Sequence, residues 1–368
     1  MSWIDKYADL LVHYSLYLKE GERVFVRTTT LAEPLLKAFY EKATRVGAIV
    51  ETEIAFEHQE QILLSQGRSE QLQHVSASFK QAMTEFDAVM VIRAPYLSTQ
   101  SFDILPENRK IRMLAIQPYD QLYFERLGKG NLKRSLCQYP TAYGAHHAGM
   151  SLDEYTQFIQ NACFLSEDDP TAKWKELSVY QQNIVDYLNT CEHIIYRSSQ
   201  FEISFSVKGR KWINSDGKAN MPSGEVFTSP VEDSVEGEIF FNFPSIYQEH
   251  DVQGIRLIVK SGEVVEWKAE VGQELLDRIF QIEGSRRFGE VAIATNKNIQ
   301  RPTKNILFDE KIGGTVHMAI GQSYLQSGGK NHSPIHWDMI TDMRNGGEIF
   351  ADGELIYRNG EFLLEKML

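Results

Sequence analysis

Between Gly313 and Asp338 the chain reads GGTVHMAIGQSYLQSGGKNHSPIHWD, and imidazole, carboxylate and phenol groups gather there within one short segment. His336 and Asp338 stand two apart among apolar and aromatic neighbours (Ile335, Trp337, Met339, Ile340). In a strand, positions i and i+2 share a face, so both side chains can grip one ion. His317 and Tyr324 lie upstream, across a loop of Ser327, Gly328, Gly329, Lys330 and Asn331 that is able to fold them back onto the same place. This is half of a metal site. The other half must come from carboxylates elsewhere in the chain.

Two glutamates stand apart from the surface carboxylates. Glu225 and Glu290 are each preceded by glycine and followed by an apolar stretch, in NMPSGEVF and RFGEVAIA. An ionised carboxylate at the edge of a buried strand needs a partner, because burying it alone is very costly. A metal would account for both glutamates together with His317, His336 and Asp338. Simple pairing with Arg210, Arg286 or Arg287 is the competing explanation, and spacing leaves the two open.

The elements that must hold these residues are legible in outline. Apolar positions from Ile4 to Leu18 recur at three and four and predict an amphipathic helix. A strand at Arg23–Arg27, a helix at Ala32–Val46 stopped by Gly47, and a strand at Ala48–Ile54 follow, which is a βαβ unit. An ill-defined helical stretch from Glu60 to Phe86, a strand at Ala88–Arg93 and a further short apolar run at Arg112–Ile116 continue the alternation. The order predicts an α/β N-terminal domain, a parallel-rich sheet with helices on its faces. Neither GxGxxG nor GxxxxGK[ST] follows any strand, so no nucleotide site is announced. His146 and His147 are adjacent and point in different directions, and they read as surface or hinge residues.

Helices are expected at Leu152–Leu165 and Thr171–Leu188, the second opened by Asp169 and Pro170, with Trp174, Leu177, Ile184 and Leu188 packed in a core or between the domains. Past His193 the texture changes to short alternating strands at 193–197, 201–207, 238–241, 254–260 and 264–269, and then from Glu348 to Leu364, joined by Gly-bearing turns such as Ser261-Gly262, Asp352-Gly353 and Asn359-Gly360. The domains are therefore expected at 1–195 and 196–368, the second an α+β domain with a curved antiparallel sheet carrying the metal site.

Composition narrows the partners. With 42% hydrophobic and 24% charged residues over 368 positions the chain has an ordinary globular mixture, and a net charge of −12 argues against nucleic acid or an anionic membrane. Cys137, Cys163 and Cys191 form no CxxC pair, which points to buried free thiols rather than disulfides or a thiolate zinc site. No signal peptide or membrane span is read, and a cytoplasmic protein is expected.

Six stretches together carry a family resemblance: LVHYSLYLKEGERV, ACFLSEDDPTAKW, GRKWINSDGKANMPSGEVFTSP, RRFGEVAIA, FDEKIGGTVHMAIGQSY and SPIHWDMI. In these the chain resembles the metallo-aminopeptidases of peptidase family M29 over nearly its whole length. The resemblance implies two divalent ions per chain, ligated by Glu225, Glu290, His317, Tyr324, His336 and Asp338. It also implies a C-terminal domain bearing every ligand and a homodimer that encloses the site. Hydrolysis would release the N-terminal residue of peptides with a free N-terminus.

The residue types suit that chemistry. A carboxylate can bridge two ions through its two oxygens, and Glu290 or Glu225 is the natural bridge. Neutral imidazoles suit zinc, cobalt or manganese without selecting one. Tyr324 is either a ligand or a hydrogen-bond donor to the transition state, which with Glu290 makes it a candidate catalytic residue. Glu249, His250 and His332 are candidates for a base that is not a ligand. A dinuclear amidohydrolase of small amides and a metal-stabilised binding protein are the alternative readings. A Ser-His-Asp hydrolase is disfavoured, since no GxSxG is present.

Overall fold

The computed structural model describes residues 1–247 and 250–363; Glu249, one of the candidate bases, and Leu364 lie outside them. Two compact units form, Met1–Thr171 with Gly217–Met221, and Ala172–Asp216 with Pro222–Leu368. The chain passes between them at Thr171, ahead of the boundary expected near residue 195.

The first unit is built on a five-stranded sheet in the order Ile49–Ala55, Arg23–Thr29, Ala88–Arg93, Lys133–Gln138, Asn220–Met221. Every neighbouring pair is parallel. Parallel strands need crossovers, and the first is the helix Glu33–Val46, which buries Leu35, Leu36, Ala38, Phe39 and Ala43. Gly47 ends it in the left-handed region at φ 87°, donating its N–H back to the last turn. At the N-terminus Ser2 and Asp5 form a capping box for the helix Trp3–Leu10, which runs on into a π-helical turn at Leu11–Ser15.

Two expectations are corrected here. The run Arg112–Ile116 is no strand; it lies inside the helix Pro106–Gly128, which buries none of its residues. Four apolar residues behind an arginine do not reveal their period when the helix around them has no continuous apolar face. The strand that was missed is Lys133–Gln138, KRSLCQ, whose buried side chains include the polar Ser135 and Gln138. The uncertain stretch from Glu60 resolves into three short helices, Gln59–Gln66, Ser69–Gln73 and Ala77–Glu85. His146 and His147 sit in the helix Ala142–Ala148, where His147 Nδ1 lies 2.9 Å from the Tyr143 carbonyl, and among the described residues neither joins a cluster of ligands.

The second unit is antiparallel. One sheet of eight strands runs in the order Glu263–Lys268, Ile255–Lys260, Glu236–Phe241, Glu202–Ser206, His193–Arg197, Glu348–Ala351, Glu354–Arg358, Glu361–Phe362. Its tight hairpins place both turn residues at positive φ, as type I′ geometry requires: Ser261 49° and Gly262 76°, Asp352 49° and Gly353 86°, Asn359 52° and Gly360 86°. The other sheet has five strands in the order His336–Asp342, Thr315–Gly321, Phe288–Ala294, Glu225–Thr228, Ile213–Ser215. Side chains of both sheets meet in one core: Ile194, Tyr196, Phe205, Ile239 and Leu257 from the larger, and Val226, Val291, Ile293, Met318 and Trp337 from the smaller. Ile184 and Leu188 of the helix Pro170–Leu188 join it. Cys137, Cys163 and Cys191 are buried free thiols.

Candidate metal centre

Alternation along the five-stranded sheet decides what faces the site. Val316, Met318, Ile320, Trp337, Met339, Val291 and Ile293 point into the core, so their neighbours His317, His336, Asp338 and Glu290 take the opposite face. Phe288 belongs to the core as well, although it is two residues from Glu290. A β-bulge between Phe288 and Glu290 resolves this, because the extra residue switches the alternation and turns Glu290 outward. That residue is Gly289. A Cβ there would lie 2.4 Å from the Gln322 carbonyl oxygen and 2.6 Å from that of Gly321. The Ser229 hydroxyl donates to the Gly289 carbonyl at 2.7 Å and pins the bulge.

Gly224 has the same necessity ahead of Glu225. It sits at φ 121°, and a Cβ would come 2.6 Å from Cβ of Asn296. The floor between the functional side chains is made of small residues. Ala319 stands opposite both Asp338 and Glu290, Gly321 opposite His336, Ala292 opposite His317, and Ala294 opposite Glu225. Large residues at these four positions would fill the space above the sheet that the ligands surround. For Gly289→Ala we expect a loss of about 1–3 kcal/mol from overpacking against backbone. The loss would come with a drop in activity larger than the change in folded fraction, read by denaturant unfolding alongside an assay.

The side chains converge closely. His317 Nε2 lies 3.3 Å from Glu225 Oε2 and 3.8 Å from Glu290 Oε1; His336 Nε2 lies 3.1 Å from Glu290 Oε2 and 3.5 Å from Asp338 Oδ1. Two groups of three result, Glu225/Glu290/His317 and Glu290/His336/Asp338, each with donor atoms within 4.8 Å of one another. Glu290 belongs to both. Tyr324, partly exposed after the strand Thr315–Gly321, places its ring edge-on to His336 at a centroid distance of 5.2 Å, with Phe227 at 5.2 Å on another side.

None of the arginines weighed at the sequence level takes these carboxylates. Arg210 pairs with Glu232, Arg286 donates to the Phe280 carbonyl, and Arg287 to the Glu232 carbonyl. The charges are balanced by histidine and by a buried lysine, Lys311, 3.0 Å from Glu225 Oε1 and paired also with Glu310. Burial works against charge on His317, but the carboxylates of Glu290 and Glu225 prevail and push it up to about 9. His336 is raised well above its ordinary range against the same burial, by Asp338 and Glu290. Burial raises Asp338, yet His336, His317 and Lys311 hold it down to about 2. The Glu290 carboxylate and burial hold the Tyr324 phenol protonated.

Several buried donor atoms have no hydrogen-bond partner among the described residues: Glu225 Oε2, His317 Nδ1, His336 Nε2 and Asp338 Oδ1. Glu225 Oε2, His336 Nε2 and Asp338 Oδ1, orphaned beside His317 Nε2 and Glu290, fit divalent ions bound by nitrogen and oxygen ligands. His336 is further prepared for this. Its Nδ1 lies 2.8 Å from the Gln322 carbonyl, which only accepts, so Nδ1 keeps its proton and the ring presents the Nε2 lone pair once Nε2 has given up its own.

Sequence reasoning missed three contributors. Glu310 forms a third group with His317 and Asp338, and Lys311 is fully buried beside it. Gln181, itself fully buried, donates from Nε2 to the carbonyls of Glu225 at 2.9 Å and Ser215 at 3.0 Å, while its Oε1 accepts from the Thr295 hydroxyl at 2.9 Å. Its signal was present, since Gln181 replaces an apolar residue in the stripe Trp174, Leu177, Ile184, Leu188. Of the candidate bases, His250 is exposed in the hairpin strand His250–Val252. His332 lines a different cavity, of about 470 Å³, with Glu263, Phe280, Arg286 and Arg287.

Comparison with known proteins adds an independent line. A family model described as thermophilic metalloprotease (M29) matches residues 2–362. Aminopeptidase 2 of Geobacillus stearothermophilus is 26% identical over 98% of both chains, and aminopeptidase T of Thermus thermophilus is 25% identical over 97% of this chain and 95% of its own. Aminopeptidase AmpS of Bacillus subtilis is 30% identical over 55% of this chain and 58% of its own. The solved structure of wild-type AmpT from Thermus thermophilus superimposes with a TM-score of 0.83 over 98% of this chain and 99% of that one, at 21% identity, so the two share a fold.

Proposed function

The chain belongs to the thermophilic metalloprotease family M29, and from that premise we propose that it is a metal-dependent aminopeptidase. Its reaction is hydrolysis of the first peptide bond of a substrate with a free N-terminus. The observation that carries the proposal is the placing of Glu290 between two three-residue groups, one completed by Glu225 and His317 and the other by His336 and Asp338. A carboxylate has two oxygens, one for each group, and this supports a site for two divalent ions that Glu290 would help to hold together with both groups. Zinc, cobalt and manganese all suit the donor set. Bound there, such ions would acidify a water toward neutral pKa, polarise the scissile carbonyl and accept the free α-amine.

The chain's own residues have defined tasks in this reading. His317, His336 and Asp338 are held rigidly by strand pairing, so little reorganisation is needed when substrate arrives. Tyr324, a protonated phenol beside His336, is a ligand or a donor to the oxygen on which charge develops. Glu310 is the further carboxylate that clusters with these ligands among the described residues, and it is the candidate to receive the proton of the attacking water. The floor of Ala292, Ala294, Ala319 and Gly321 puts no large side chain of its own between the ligands.

Two substrates test the reading. A peptide with a free amine should be cut only at its first bond, and its N-acetylated counterpart should be cut at least about 10³-fold more slowly, because a site built around a polar group rejects an analogue lacking it. Comparable rates on both would turn the assignment toward a general amidohydrolase. No helix among the described residues is long and apolar enough to cross a membrane.

A further inference from the structure

Lys311 is a lysine with no exposed side chain, in a segment whose neighbours Phe308 and Ile312 are also fully buried. Burying an ammonium is costly unless it is paired and hydrogen-bonded, so its position requires explanation. Its partners are both carboxylates: Glu225 Oε1 at 3.0 Å, and Glu310. The pairing is asymmetric on Glu225. Oε1 belongs to the ammonium, while Oε2 has no hydrogen-bond partner among the described residues and lies 3.3 Å from His317 Nε2.

The backbone around Lys311 is tied to the backbone around Glu225 through Asn296 and its neighbour Thr295. Asn296, fully buried, donates its backbone N–H to the Lys311 carbonyl at 3.3 Å and its side-chain Nδ2 to the Ser223 carbonyl at 2.9 Å. The Gly313 N–H returns to the Asn296 carbonyl at 2.9 Å, and the Thr295 N–H donates to Gly224 at 2.8 Å. The ammonium and the carboxylate are thus delivered to each other by a single hydrogen-bonded frame.

We propose that Lys311 is a positioning residue of the metal centre, which takes one oxygen of Glu225 in a charge-assisted bond and thereby fixes the carboxylate with its other oxygen turned to a cation. This rests on the metal reading above. A rotating carboxylate would offer both oxygens to one ion or to the His317 ring; a carboxylate clamped at Oε1 offers only Oε2. Outer partners of this kind typically contribute 10- to 100-fold to metal affinity. Lys311 also offsets negative charge in a cluster of Glu225, Glu290, Glu310 and Asp338, so that the metal-free site stays assembled.

The test is a cobalt(II) titration of metal-free protein, followed by visible absorption and by competition with a chelating indicator, for the wild type and Lys311→Met, Lys311→Arg and Lys311→Gln. In K311M one cobalt should bind as in the wild type, at Glu290, His336 and Asp338. The other should bind 10- to 100-fold more weakly with an altered absorption band, and K311R should recover most of that loss. A folded K311M with both affinities and the spectrum unchanged would overturn the proposal. If K311M does not fold, K311Q decides: about tenfold weaker binding of one ion supports it, and wild-type binding overturns it. Wild-type protein that takes up no cobalt would instead overturn the metal reading itself, a result distinct from the other two.

Discussion

Glu290→Gln is expected to lower kcat by about 10³-fold and to reduce the number of tightly bound divalent ions. The substitution keeps the shape of the side chain and removes the charge. Glu290 is almost completely buried, with its two oxygens facing different histidines, Oε1 toward His317 and Oε2 toward His336. An amide can turn only one oxygen toward a cation, and its NH2 repels the other. Losing a group that acts on the reacting atoms typically costs 10²- to 10⁴-fold. Glu225→Gln should cost less in stoichiometry, since Glu225 shares in only one of the two groups that Glu290 joins. Metal analysis on the purified variants, with kcat and KM against an aminoacyl substrate, separates the two cases. Activity of E290Q within tenfold of wild type would remove Glu290 from the centre of the mechanism.

The reason Glu290 could be picked out from sequence, while its partners in charge could not, lies in what each residue needs. Glu290 and Glu225 announce themselves because a glycine precedes each and an apolar strand follows, and both glycines turn out to be forced by close backbone or side-chain approach. His336 and Asp338 were readable as a pair from strand alternation, which is a local rule, and His317 only as a ligand type that the Ser327–Asn331 loop could fold back beside them. Lys311 and Glu310 were not, because Asp309-Glu310-Lys311 has the composition of an exposed helix end, and only the tertiary fold buries it. The same division runs through the scaffold. The βαβ start was legible from periodicity and from the Gly47 stop. The polar strand Lys133–Gln138 was hidden because its burial comes from its position in a parallel sheet rather than from its own side chains.

Removing divalent ions with a chelator should abolish hydrolysis, and the stability of the metal-free and metal-loaded forms should then diverge with pH. In the metal-free protein His317 is pushed up to about 9, and His336 is also well above its ordinary range. A histidine whose folded pKa exceeds its unfolded value contributes stability that is complete below about pH 6.5 and is lost as pH rises through the folded pKa. The metal-free form should therefore weaken between about pH 6.5 and 9. Ion binding has the opposite slope, because the same imidazoles must give up their protons to ligate, so affinity rises over that range and loading at pH 7 expels about two protons. Free ion at about 1,000 times its Kd adds about 4 kcal/mol per site, roughly 10 °C in Tm for a domain of 150–250 residues. Calorimetric Tm values at pH 6, 7, 8 and 9, in a buffer that does not bind metal, should show the gap between the two forms widening with each step. A gap that stays constant would mean that His317 and His336 do not hold the ions, whatever the chelator does to activity.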